Sequence, residues 1–179
     1  MSARMRKGVI AMGLFAAILG LFGCGRPTSQ VVFAAGADPW QILQADSSNG
    51  ALRVAARGEM LGEAADSLAR RAAETLRRNF SDPWLKFEAD PAAQAGGYRL
   101  IFLHEARAVR HPDFWAVCQD RAPRFERDPK TTNMYAVLCG PNGPIVAAHG
   151  WMDRPATLDD PAFARLIVQM GRQAMRGTT

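Results

Sequence analysis

The sequence contains few of the residues that usually carry out chemistry in enzymes. Its 179 residues include three histidines, three cysteines and two tyrosines. No glycine-rich loop opens a helix where a phosphate group could bind, and there is no internal repeat or low-complexity tract. The sequence therefore predicts no cofactor and no motif-defined catalytic class, and its length predicts one main domain.

Basic residues exceed acidic ones, but part of the excess lies at the start of the chain. The 22 Lys and Arg outnumber the 17 Asp and Glu, giving a net charge of +5. Without Arg4, Arg6 and Lys7, 19 basic residues face the same 17 acidic ones, and the net charge is +2. A chain with nearly equal numbers of basic and acidic residues lacks the excess of positive charge that binds nucleic-acid phosphates, and we expect no nucleic-acid partner.

The N-terminal segment is organised like an export signal. Three basic residues precede an uncharged, strongly apolar stretch from Gly8 to Gly23. This stretch is shorter than the roughly 20 residues that cross a bilayer core. Basic residues, then an apolar run that ends in small residues, are typical of signal peptides. We predict that residues 1–23 are a signal peptide; the alternative is an uncleaved membrane anchor.

The apolar stretch ends in Leu21-Phe22-Gly23-Cys24. This resembles the bacterial lipobox, in which a Leu and small residues precede a cysteine that is acylated and becomes the mature N-terminus. The resemblance implies that Cys24 carries lipid, such as palmitate, and that two or more acyl chains anchor the protein stably. Gly25 follows the cysteine in place of an Asp, which implies sorting to the outer membrane, facing the periplasm.

The two remaining cysteines are an even pair. In the oxidising environment that an exported chain enters, Cys118 and Cys139 are expected to form one disulfide. Two buried free thiols are the alternative, because sequence does not show their separation.

Polar turn-forming residues flank two short apolar stretches between the cysteine and the first clear strand. We predict that residues 24–50 are the lipidated cysteine and a tether, with 31–33 and 40–43 apolar enough to dock on the domain. Residues 51–179 are predicted to form a single α+β periplasmic domain.

Alternating apolar residues predict strands at 52–57, 84–88 and 98–105, with the last central in the sheet and with turn residues 90–91 and 96–97 before it. A helix is expected from about Glu59 to Arg78, where apolar residues recur every three or four positions. Its predicted inner face is Leu61, Ala65, Leu68, Ala72 and Leu76.

Residues 133–139 and 144–152 are predicted to form a hairpin across Gly140-Pro141-Asn142-Gly143. Asp160 and Pro161 favour the start of a last helix and Gly177 its end. Residues 113–119 are either a short strand or a helical turn, and 121–130 a surface loop. Together, these strands and helices predict an α+β fold with an antiparallel sheet of about five strands and two main helices on one face.

This order of elements resembles small periplasmic lipoprotein domains of the TolB N-terminal, CsgG and LpoB kind. The strand at 52–57, the Ala-rich helix, an edge strand at 85–87 and the central strand at 98–103 fit that order. The resemblance implies a domain that assists envelope machines without chemistry of its own.

The histidines and one cysteine are the candidates for catalytic or metal-binding groups. His104, Glu105 and His111 do not have the two-His spacing of a helical zinc site, and no metal is expected. A periplasmic enzyme would use His104, Glu105 or His149. Cys118 would need a histidine nearby to act as a nucleophile, and the disulfide explains it more simply.

Four tryptophans are numerous for a domain of this size, and Trp115 and Trp151 lie near loop boundaries. They either close the ends of a small core or form an exposed aromatic patch for a partner. Our first hypothesis is a non-catalytic lipoprotein that docks on an envelope assembly or transport complex, through the sheet face or the 121–130 loop. A lipoprotein that binds a small ligand or lipid is the second, and a periplasmic enzyme the third.

Overall fold

The computed structural model describes residues 26–46, 50–90, 97–105, 112–121 and 128–177. The signal peptide predicted at residues 1–23 and the lipidated Cys24 lie outside these ranges. The α+β class is confirmed. The elements in chain order are β1 (Thr28–Ala34), α1 (Pro39–Asp46), β2 (Leu52–Arg57), α2 (Ala65–Asn79), β3 (Phe87–Ala89), β4 (Arg99–His104), α3 (Phe114–Cys118), β5 (Thr131–Gly140), β6 (Gly143–Asp153) and α4 (Pro161–Arg176).

The sheet is mixed, whereas the sequence predicted an antiparallel sheet of about five strands. Its six strands follow the order β1-β6-β5-β4-β2-β3. Strands β1, β6, β5 and β4 pair antiparallel, but β2 runs parallel to both β3 and β4. The parallel pair of β2 and β3 arises because α2 carries the chain back along the sheet, so that β3 runs in the same direction as β2.

The predicted tether contributes two regular elements that the sequence did not predict. Its two apolar stretches do dock on the domain, as expected. The first lies in β1, which pairs with β6 from Thr28 opposite Trp151 to Ala34 opposite Val146. The second lies in α1, whose Leu43 is buried in the core. The chain is therefore part of the fold from Thr28 onward.

Helix α2 begins at Ala65, and its predicted start at Glu59 is wrong. Leu61 and Gly62 have φ angles of 52° and 83°, in the left-handed region that ends helical geometry. Met60 and Glu63 instead form an isolated bridge. The inner face within the helix is nevertheless close to prediction; its buried residues are Leu68, Ala69, Ala72, Ala73 and Leu76.

Strand β4 is buried along its whole length and lies between β5 and β2, as its continuous apolar run predicts. Strand β3 is shorter and later than the predicted 84–88. It lies at the sheet edge beside β2 and does not precede β4 across a hairpin turn. Trp84, assigned to that strand, instead packs against Trp40 of α1 at 4.8 Å between ring centroids.

The hairpin of β5 and β6 and the last helix are confirmed. Gly143 has a φ of 119°, which the tight turn requires. The Asp160 side chain accepts a hydrogen bond from the Ala162 amide at 2.7 Å. Gly177 ends α4 with a left-handed φ of 63°. Four apolar residues at spacings of three and four are buried along the inner side of this helix: Phe163, Ile167, Met170 and Ala174.

Two layers cover the two faces of the sheet. Helices α2 and α4 share the larger core on one face, as predicted. Residues 113–119 prove to be helical, and α3 covers part of the other face. Most of the predicted 121–130 loop lies outside the described residues. Within the described part of the chain, no helix has the length and apolar character to cross a membrane.

Candidate functional site: the face covered by helix α3

A helix of one turn carries the most exposed apolar side chain of the described structure. Asp113 begins α3 by accepting hydrogen bonds from the amides of Trp115 and Ala116 at 3.0 and 3.1 Å. Phe114 and Val117 face the sheet and are buried. Trp115 projects from the other side and is 53% exposed. So short a helix is not stable by itself, so other contacts must hold it.

The predicted disulfide is one of those contacts. Cys118 and Cys139 are bonded, with their Cα atoms 5.5 Å apart. The bond joins the last residue of α3 to the end of β5, and both cysteines are buried. Cys118 is therefore a structural residue, and its alternative role as a nucleophile is not supported because a disulfide sulfur has no thiolate.

An ion-pair cluster is the second contact, and sequence reasoning missed it. Arg99 of β4 donates to the Asp120 carboxylate at 2.8 and 3.1 Å and also to the Cys118 carbonyl. Arg57 of β2 donates to the same carboxylate at 3.0 Å. Asp120 itself has a φ of 61°, in the left-handed region that few non-glycine residues adopt. No spacing in the sequence joins these residues, because the fold alone brings them together.

Trp115 lies directly on the turn that starts β6. A Cβ atom placed on Gly143 would be 2.3 Å from the indole ring. The ring therefore rests against bare backbone, and only a glycine allows that approach. The opposite side of the ring is exposed. In the described residues, Trp115 is the only exposed large hydrophobic side chain, so it is an aromatic anchor held in a fixed position.

Trp151 belongs to a separate aromatic row on the same face. His149 stacks on Tyr135 with 4.5 Å between ring centroids, and Trp151 follows at 5.1 Å from His149. Trp151 is only half-buried. It lies eight residues along β6 from Gly143, a distance of about 26 Å at roughly 3.3 Å per residue. The structure thus does not bring Trp115 and Trp151 into one patch.

The residues weighed for catalysis do not converge. His104 is buried beside Phe163 under α4, at 6.3 Å between ring centroids, whereas His149 lies on the opposite face of the sheet. Glu105 is 5% exposed and forms an ion pair with Arg154. His111 lies outside the described residues. Among the residues that are described, no cluster of His, Cys, Asp and Glu could hold a metal ion.

His104 is kept uncharged by its surroundings. Burial lowers its pKa from 6.5 to about 4. Neither ring nitrogen has a hydrogen-bond partner among the described residues. A histidine in such a site is suited to neither metal binding nor proton transfer with a substrate, because no ligand can reach it.

Comparisons with known proteins show a structural likeness and no sequence relative. No protein-family model and no curated protein matches the chain. Solved structures of PelC dodecamers from Paraburkholderia phytofirmans, in two space groups, resemble it at TM-scores of 0.45 and 0.44 with 15% identity. The matches cover 84% and 86% of this chain and 99% of each PelC chain.

Proposed function

We propose that this protein is an outer-membrane lipoprotein that faces the periplasm and acts by docking on a protein partner of an envelope complex, without catalysis. The lipobox-like end of the signal segment supports the anchor. The disulfide between Cys118 and Cys139 supports an oxidising compartment. The rigidly held, exposed Trp115 is the observation that carries the docking function.

The start of β1 sets which end of the domain would lie near the membrane. Thr28 is four positions after Cys24, and an extended chain of that length spans at most about 14 Å. Thr28 pairs with Trp151 near the end of β6. An acyl chain on Cys24 would therefore hold this end of the sheet close to the lipid headgroups.

Trp115 would then point away from the bilayer. It rests on Gly143 at the opposite end of β6 from Trp151, so the anchored lipid cannot cover it. A partner that reaches this end of the domain is a protein in the periplasm. Tryptophan is among the residues that contribute most binding free energy at protein interfaces. The disulfide and Arg99 fix α3 beforehand, which lowers the entropy lost on binding.

Intact mass tests the anchor. We expect the membrane-extracted protein to lack residues 1–23 and to carry acyl mass. Its mass should also be lower by the two thiol hydrogens that Cys118 and Cys139 lose when they form a disulfide. A Cys24→Ser variant should not gain acyl mass and should leave the membrane fraction. An unprocessed, unacylated chain would contradict the anchor.

Crosslinking tests the docking surface separately. A photoreactive amino acid at position 115 should yield a discrete protein adduct in intact cells. The same amino acid at Arg165, exposed on α4, is the matched control and should yield none. Lipid adducts at position 115, or equal protein adducts at both positions, would contradict the proposal.

A further inference from the structure

A small cavity opens where α1 ends and β2 begins, apart from the surface around Trp115. Its volume is about 220 Å³. Two aromatic side chains, Trp84 and Tyr98, share its wall with the charged residues Asp46, Arg53 and Lys86. It is smaller than the roughly 300–1,000 Å³ of pockets for drug-sized molecules. A ligand that fills it is therefore the size of a single small ring.

Both aromatic rings are held in place by packing. Trp84 meets the Trp40 ring edge-to-face at 4.8 Å and an interplanar angle of 69°. Arg176 lies 4.6 Å from the centre of that Trp40 ring. Tyr98 packs on Gly140, where an added Cβ would be 3.1 Å from the tyrosine ring. Because these contacts within the domain fix both rings, the apolar wall is preorganised.

The charges at the cavity favour an anion. Arg53 and Lys86 oppose one carboxylate, that of Asp46. Arg53 is half-exposed and only loosely paired with Asp90, at 3.6 Å. Lys86 is exposed and forms no ion pair within the part of the chain that the structure describes. Two cations with weak protein partners can both turn toward a bound carboxylate.

We infer that this cavity binds a small anionic ligand with a saturated ring, the chemistry of a carboxylated monosaccharide. The apolar face of the ring would lie on Trp84 or Tyr98, and the carboxylate would accept hydrogen bonds from Lys86 and Arg53. The inference does not depend on acylation of Cys24 or on a protein partner.

Calorimetric titration of the full chain in detergent tests the ligand class. The probes are glucuronate, glucose and inorganic phosphate. We expect saturable binding of glucuronate, with glucose and phosphate each at least tenfold weaker, because each lacks one of the two recognised features. Equal binding of phosphate would show a simple anion site and overturn the ring assignment. Absence of saturable glucuronate binding would overturn the inference as a whole.

Variants place the binding in this cavity. Lys86→Gln should weaken glucuronate binding about tenfold, the loss of one charge-assisted hydrogen bond. Arg165→Gln removes another exposed cation, one on α4, and should leave affinity unchanged. Tyr98→Leu should also weaken binding, and its circular dichroism spectrum shows whether it folds. If Lys86→Gln and Arg165→Gln bind equally well, the ligand is held elsewhere and the inference is wrong.

Discussion

The buried Arg99 forms an ion pair with the partly exposed Asp120, which joins the middle of the sheet to the segment that follows α3. The Arg99 side chain is 2% exposed, and its Nη1 atom donates to both carboxylate oxygens of Asp120. The remaining Nη2 donates to the Cys118 carbonyl. These acceptors replace the hydration that the guanidinium loses on burial, which offsets part of the free-energy cost of burying it. The stability of α3 therefore depends on a residue from a distant part of the sequence.

Asp120→Ala should destabilise the fold by about 2–3 kcal/mol, because it leaves the buried Arg99 charge without its carboxylate. Asp159→Ala is the matched control. Asp159 pairs with Arg71 but is 84% exposed, so its removal should cost less than about 1 kcal/mol. Urea unfolding followed by circular dichroism measures both. Equal losses for the two variants would contradict the role assigned to Asp120.

Removing the disulfide should cost about 3 kcal/mol, as expected for a loop closed between residues 21 positions apart. Cys118→Ser with Cys139→Ser is the variant, and unfolding of the native protein with and without reductant is the parallel measurement. The reductant should have no effect on the double variant. An unfolding midpoint that reductant does not move in the native protein would show that the bond contributes nothing.

His104 should make the protein less stable as the pH falls. Its pKa is lowered to about 4 in the fold and is near 6.5 in an unfolded chain. Below pH 6.5 the unfolded chain gains a proton that the folded protein does not, so stability is lost between about pH 6.5 and pH 4. The total is about 3 kcal/mol. Below pH 4 both states are protonated, and this contribution stays constant.

His104→Leu should flatten that pH dependence and raise stability at pH 5, because two unpaired buried nitrogens are replaced by an apolar side chain of similar size. His149→Gln is the control, since His149 is only half-buried. The His149→Gln variant should keep most of the dependence of stability on pH. Thermal or urea unfolding of the native protein and both variants at pH 5 and pH 7.5 measures this dependence. An unchanged slope in His104→Leu would assign the dependence to other groups.

Gly143→Ala should displace the Trp115 ring, since the new Cβ would lie 2.3 Å from it. It also forces a non-glycine residue to a φ of 119°. We expect a loss of about 2 kcal/mol or more and a shift in tryptophan fluorescence. Adding Trp115→Ala to Gly143→Ala should restore the stability lost through the clash with the ring, but not the stability lost through backbone strain. Strictly additive effects in this double-mutant cycle would show that the two residues do not interact.

Local signals explain which elements could be predicted. Helix α4 follows from its sequence because Asp160, Pro161 and Gly177 act within a few residues of its ends. The start of α2 could not be predicted, because apolar spacing continues through Leu61 although its backbone turns to a positive φ. The parallel pairing of β2 was also missed. Alternation shows that a strand exists but not which strand lies beside it.

The candidate site shows the same division. Pairing of Cys118 with Cys139 could be predicted, because the compartment and an even cysteine count suffice. The cluster of Arg57, Arg99 and Asp120 could not, since it joins three elements through their tertiary positions alone. The sequence places Trp115 near a loop boundary, but only the fold shows that it is the exposed tryptophan among the described residues.

Strand β1 begins at Thr28, only four residues after Cys24. In an acylated chain, the length of the β5–β6 hairpin therefore sets the distance between its turn and the membrane. The turn that supports Trp115 would lie at a nearly constant height above the headgroups. The sheet cannot shorten, and the short link between Cys24 and Thr28 cannot lengthen. Two residues added to each strand of the hairpin would raise the tip by about 7 Å. A partner matched to the native height would then meet the wrong part of the domain.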